Sequence, residues 1–172
     1  MKKSLKIFTI LIFTILFLSG CGKNENYDAI DSKKMTSEEI VTKLKEQNRN
    51  VGKIVTYTEE TDINELLGRP NQYTSKTTFE DIRIEQTNQN LDEQYFSEEE
   101  RNEPIGGTVE VFKNEADMKK RKDYLETITS SMSVFAEYSY AQGVYLLRLN
   151  KSLTPAQAKE YEEIFYKIIN AK

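Results

Sequence analysis

The stretch Phe135-Ala136-Glu137-Tyr138-Ser139-Tyr140-Ala141-Gln142-Gly143-Val144-Tyr145-Leu146-Leu147-Arg148-Leu149 decides the fold. Its two arms, Phe135 to Tyr140 and Val144 to Leu149, carry the aromatic and aliphatic residues that suit a pleated surface. Only Ala141-Gln142-Gly143 separates them. A connection that short joins antiparallel neighbours, because a parallel pair needs a crossover of a dozen or more residues. The chain therefore contains a β-hairpin, and the flanking segments have to extend and cover it.

Downstream, Leu153-Thr154-Pro155-Ala156-Gln157 opens the last helix. Thr154 and Gln157 make a Thr-x-x-Gln capping box, and proline at the first helical position forfeits no hydrogen bond. Ala158, Tyr161, Phe165 and Ile168 recur at helical spacing, with Ile164 and Ile169 beside them. Upstream, Asn114 caps a helix predicted over about 115–130, in which Met118, Leu125, Ile128 and Met132 recur. The run Lys119-Lys120-Arg121-Lys122 falls mostly on its exposed side. Gly106-Gly107 leads into a strand from Thr108 to Lys113, with Val109 and Val111 on one face.

Nearer the start, Thr36 and Glu39 form another capping box, and Met35 with Ile40 a hydrophobic staple, for a helix ending near Asn48. Val51 to Thr58 reads as a strand. Asp62 to Gly68 reads as a single helical turn, capped by Asp62 and closed by Gly68 in a left-handed conformation. Arg69-Pro70-Asn71-Gln72 is a turn, and a second strand runs from about Ser75 to Glu85. Phe79 is out of phase with Ile82 and Ile84 in that strand, which calls for a bulge. Asn88 to Gly107 is the least regular segment and reads as a long acidic surface loop or flap, from Asp92 to Glu103, with Tyr95-Phe96 inside it. The resulting order is α-β-β-β-α-β-β-α. The expected fold is α+β: an antiparallel sheet of about five strands with helices packed on one face, in a single domain over 35–172.

The amino terminus has a different character. Lys2, Lys3 and Lys6 precede the apolar run Ile7 to Leu18, interrupted only by Thr9 and Thr14. A positive segment, an apolar segment and small residues at 19 and 20 are the parts of a secretion signal. As a helix the run spans about 18 Å, short of the roughly 30 Å hydrocarbon core. It ends on Leu18-Ser19-Gly20-Cys21, which holds the only cysteine. This resembles a bacterial lipobox. The resemblance implies a diacylglyceryl group on the Cys21 sulfur and removal of 1–20, which leaves Cys21 as the first residue. Two acyl chains anchor stably where one does not. Residues 21–34 are polar and aperiodic and read as a flexible tether.

Removing twenty residues from 172 leaves 152, enough for one domain. The signal takes three lysines and no acids from 24 basic and 28 acidic residues, so the mature chain carries 21 against 28, net −7. That balance argues against a nucleic-acid partner, whose binding faces are basic. The chain has no histidine, which excludes Ser-His-Asp and Cys-His catalysis and histidine metal sites. With Cys21 acylated, a carboxylate pair, a lysine, a tyrosine or an oxygen-ligand metal site are the remaining routes to catalysis. No cofactor is expected.

The densest set of binding groups is Tyr57-Thr58-Glu59-Glu60-Thr61-Asp62, continued by Leu66-Leu67-Gly68-Arg69-Pro70 and Tyr73-Thr74-Ser75-Lys76. Glu59, Glu60, Asp62, Arg69, Tyr73 and Lys76 are the candidate binding residues, on a loop held between strands. Set against this, a cap at Asp62 and an ion pair at Arg69 would make the segment structural. Calcium would need six to eight oxygen ligands, and the EF-hand spacing is absent. An acid–base pair would need two carboxylates at a fixed separation with one raised pKa. The acidic flap could meet a basic partner or a cell-wall component, Lys119 to Lys122 could meet headgroups or phosphates, and Phe135, Tyr138, Tyr140 and Tyr145 could line a groove on the open sheet face. Solvated surfaces and cross-strand pairs explain the same residues.

Those segments, with Leu153-Thr154-Pro155-Ala156-Gln157-Ala158-Lys159-Glu160-Tyr161, resemble small Gram-positive lipoproteins of unknown function. The likeness covers the chain after about residue 36 and brings no activity or site residues with it. Ile63 stands where such a first segment would carry proline. The resemblance implies a protein at the outer face of a cell membrane, anchored through lipid on Cys21. The expected function is non-enzymatic binding of a protein, peptide or envelope component. An accessory or inhibitor module, for an envelope enzyme or for exclusion of mobile elements, is the alternative, and a carboxylate-dependent hydrolase the third.

Overall fold

In this computed structural model, residues 34–85, 98, 102–132 and 136–171 are described. In chain order the elements are α1 (Ser37–Gln47), β1 (Val51–Thr56), β2 (Tyr73–Asp81), β3 (Gly106–Phe112), α2 (Glu115–Ser131), β4 (Glu137–Gln142), β5 (Tyr145–Asn150) and α3 (Pro155–Asn170). The strands form one sheet in the order β1-β2-β3-β5-β4, with every neighbouring pair antiparallel. The class and the element order are those expected from the sequence. Met35–Lys172 makes up a compact unit.

The starts of α1, α2 and α3 are explained locally. Thr36 and Thr154 each accept a hydrogen bond from the backbone N–H three residues on, and Glu39 and Gln157 return the bond to the cap backbone. Asn114 accepts from the Asp117 N–H at 2.9 Å. The hairpin turn passes through Gly143 at φ +59°, a left-handed conformation that favours glycine.

Register assigns the side chains to two faces. Thr77, Val109, Leu147 and Tyr140 stand in one row; Lys76, Glu110, Leu146 and Ala141 stand in the next, on the opposite face. The first face is apolar. Phe79, Val109, Val111, Leu147 and Leu149 meet Ile40, Val41 and Leu44 of α1 and Ala158, Tyr161, Phe165 and Ile168 of α3. Gly107 makes room there: a Cβ on it would come within 2.5 Å of the Phe79 ring. Polar contacts pin the helices in register. Ser37 Oγ lies 2.8 Å from Thr77 Oγ1, and Tyr161 donates to the buried Asp81 carboxylate at 2.7 Å. Arg83 closes on the same carboxylate and reaches Glu160 at 2.8 Å.

The second face carries α2, through Met118 and Leu125 against Tyr73, Phe112 and Leu146. The helices are therefore divided between both faces, and not gathered on one. The reason is that α2 is short of apolar positions and reaches the sheet through a guanidinium: Arg121 is nearly buried and paired with Glu110, whereas Lys119 and Lys120 are exposed. The basic run is thus only partly solvated. The phase problem in β2 resolves differently too. The strand stops at Asp81, so Ile82 lies beyond it at 60% exposed, and the register irregularities fall between Tyr73 and Ser75 and between Val51 and Ile54. Tyr138, Tyr140 and Tyr145 pack against the first core, on the face that α1 and α3 cover and not on an open one. Phe135 and the flap residues Asp92, Glu93, Tyr95, Phe96, Glu99 and Glu100 lie outside the described residues.

Candidate functional site

The loop between β1 and β2 is built around one carboxylate. Asp62 Oδ2 accepts the Leu66 and Leu67 backbone N–H groups at 2.9 and 3.0 Å and the Tyr73 hydroxyl at 2.6 Å. Oδ1 accepts Lys76 Nζ at 3.0 Å. Asp62 is therefore an interior anchor for the loop and caps no regular helix, since 62–68 forms turns. Gly68 closes the loop at φ +76°, donating its N–H to the Tyr73 carbonyl at 3.0 Å. Burial by itself would raise the Asp62 pKa. The Tyr73 and Lys76 hydrogen bonds, the Leu66 N–H and the Lys76 charge outweigh it and hold the group down at about 2.

Lys76 is as buried as its partner. Its ammonium lies 4.2 Å from the centre of the Tyr57 ring and 3.8 Å from Glu103 Oε1. Tyr57 donates to the same Glu103 oxygen at 2.8 Å. Burial, then the Glu103 charge, pushes the Tyr57 phenol up, and burial with the Asp62 hydrogen bond does the same to Tyr73.

A second ionic group adjoins the first, because Glu110 stands beside Lys76 across the β2–β3 pair. Glu110 is fully buried. Arg121 reaches both its oxygens at 3.2 Å, and Arg148 donates to Oε1 at 2.9 Å. Arg148 also forks onto Glu137, with both bonds at 2.8 Å. These two groups floor a cleft of about 1190 Å³ between α2 and the second face. Its helix side presents Tyr124, Leu125, Ile128 and Met132; its sheet side presents Lys76, Thr78, Thr108, Glu137 and Arg148. Tyr124 and Met132 are 58% and 51% exposed.

Of the six candidate residues, the structure brings together Asp62, Tyr73 and Lys76. Glu59, Glu60 and Arg69 stay on the outside of the loop. Glu59 lies over Gly68, where a Cβ would meet its Oε1 at 2.2 Å. Glu60 accepts from the Thr58 hydroxyl at 2.8 Å, which lowers its pKa. Arg69 pairs with Glu65 at 3.1 Å. Among the described residues no group of three or more acids or cysteines is arranged to hold a metal ion.

Sequence reasoning missed Glu110, Arg121, Glu137 and Arg148. One signal was available: Glu110 sits between Val109 and Val111 in mid-strand, and Arg148 occupies the corresponding place in the Leu146–Leu149 run. Charges at interior strand positions need partners from the same face. No family model, curated protein or solved structure matches the chain. Among the described residues no helix is long and apolar enough to cross a membrane.

Proposed function

We propose that this chain is a lipid-anchored protein of the extracytoplasmic membrane face, tethered through Cys21, whose domain binds a protein, peptide or envelope component without catalysing a reaction. The cleft under α2 carries this reading. It exposes two large apolar side chains above a floor of paired charges, the mixture of apolar wall and fixed polar groups that ligand sites use. Its volume exceeds the roughly 300–1,000 Å³ of small-molecule pockets, which suits a segment of a larger partner. The charges on the floor are engaged with one another, and the Asp62 shift is opposite to the upward shift a general acid needs. The net −7 of the mature chain disfavours nucleic acid.

The address is tested by lipid labelling. Cys21→Ala should remain an unlabelled precursor, and normal labelling of that variant would sink the anchor. The binding site is tested by capture from solubilised membranes with three forms: wild type, a Tyr124→Ser/Met132→Ser cleft variant, and an Arg69→Ala loop variant. Loss of a specific component only in the cleft variant supports the cleft. Loss only in the Arg69 variant moves the site to the exposed loop edge.

A further inference from the structure

We propose that Asp62 and Lys76 become joined by a side-chain amide bond that the folded chain forms by itself. The two groups are buried at 0% and 3% side-chain exposure and in contact at 3.0 Å. Condensation passes through the neutral amine and acid, so a proton first moves from Nζ to Oδ1 against the lowered Asp62 pKa, and the surroundings supply the donors that the attack then uses. Attack of Nζ on the Asp62 carboxyl carbon places negative charge on Oδ2, and Oδ2 already receives two backbone N–H groups and the Tyr73 hydroxyl. That is an oxyanion hole set in place before reaction. Oδ1, facing the amine, is the leaving oxygen. Glu103, 3.8 Å from Nζ, is near enough to relay protons through one intervening water.

The step balances without any co-reactant. The pair starts as ammonium and carboxylate. Two protons leave nitrogen and end on Oδ1, one before attack and one as the tetrahedral intermediate collapses, and Glu103 finishes as it began. The Nζ–Cγ bond forms, the Cγ–Oδ1 bond breaks, and one water departs. Lys76 lines the cleft, so that water has an exit. Two further terms favour the product. A buried ion pair keeps the desolvation cost of both charges, and a neutral amide removes it. The fold holds Nζ 3.0 Å from Oδ1 of the carboxyl group it attacks, which gives the effective concentration of an intramolecular reaction.

This inference is independent of any ligand in the cleft. The full-length protein, isolated from membranes, is cleaved after glutamate and analysed by mass spectrometry. Cleavage at Glu60, Glu65 and Glu80 releases 61–65, with Asp62, and 66–80, with Lys76. The expected product is one linked species, lighter than the two peptides together by one water, about 18 Da. Two separate peptides of full mass would overturn the proposal. Lys76→Arg keeps the charge but should give only separate peptides, and a linked species there would overturn the assignment. Glu103→Gln, at a partly exposed site, should slow linkage at least about tenfold. Undiminished linkage would remove Glu103 from the mechanism.

Discussion

The two faces of the sheet are covered by opposite means. The first is sealed by α1 and α3 over a continuous apolar layer from Ile40 to Ile168. The second is only partly covered by α2, and its interior holds Asp62 paired with Lys76, and Glu110 shared by Arg121 and Arg148. Apolar burial stabilises without regard to direction, at roughly 25 cal/mol per Å². A buried ion pair contributes little net stability but fixes geometry and tolerates no missing member. The first face therefore holds the fold together. The second holds particular groups in place and leaves a cleft beside them.

The largest effect should come from the first face. Phe165→Ala removes a fully buried ring and should cost about 3–5 kcal/mol in chemical denaturation. A cost under about 1 kcal/mol would break the distinction between the faces. On the second face, Glu110→Gln should cost about 3 kcal/mol, because Arg121 and Arg148 lose their shared charge. Glu110→Leu combined with Arg121→Met should restore stability to within about 1 kcal/mol of wild type. Failure of that rescue would mean the ionic floor is itself a major source of stability.

Asp81 is the first face's own charged group, and it sharpens the comparison through pH. Burial raises its pKa, but the Arg83 and Tyr161 hydrogen bonds more than compensate, so the folded value lies below 3.8. Its contribution should be fully present above about pH 4 and fade as pH falls through the lower folded value. Asp81→Asn should flatten that acid limb, as read by melting between pH 2 and 5; an unchanged limb would argue against the pairing. Smaller still, Thr154→Ala should cost about 1 kcal/mol by removing the α3 cap, and an unchanged melting temperature would contradict that helix start. Arg69→Ala, an exposed pair, should change stability by about 0.5 kcal/mol or less.

Much of the first face was legible in the sequence. The hairpin, both capping boxes and the stripe from Ala158 to Ile168 are local patterns, with spacing fixed by 3.6 and 2 residue periods. The second face was harder to read because its logic is long-range. Arg121 looks like part of a solvated run until Glu110 is known to lie under it. Asp62 looks like a local cap until Tyr73 and Lys76 fold back over it. The end of β2 was misread because Ile82 and Ile84 suggest a strand by composition, while the chain turns at Asp81 to let its carboxylate meet Arg83. In the 57–76 segment, sequence density of functional groups marked the right region but could not tell the inward Asp62, Tyr73 and Lys76 from the outward Glu59, Glu60 and Arg69.

The most direct test of this division of labour uses the methionine methyl groups as reporters. Met132 stands exposed in the cleft, whereas Met35 packs against the first core. Methyl NMR of methionine-labelled protein, titrated with solubilised cell-envelope extract, should show Met132 shifting or broadening while Met35 holds still. A response at Met35 with Met132 unchanged would place binding on the sealed face and contradict the account.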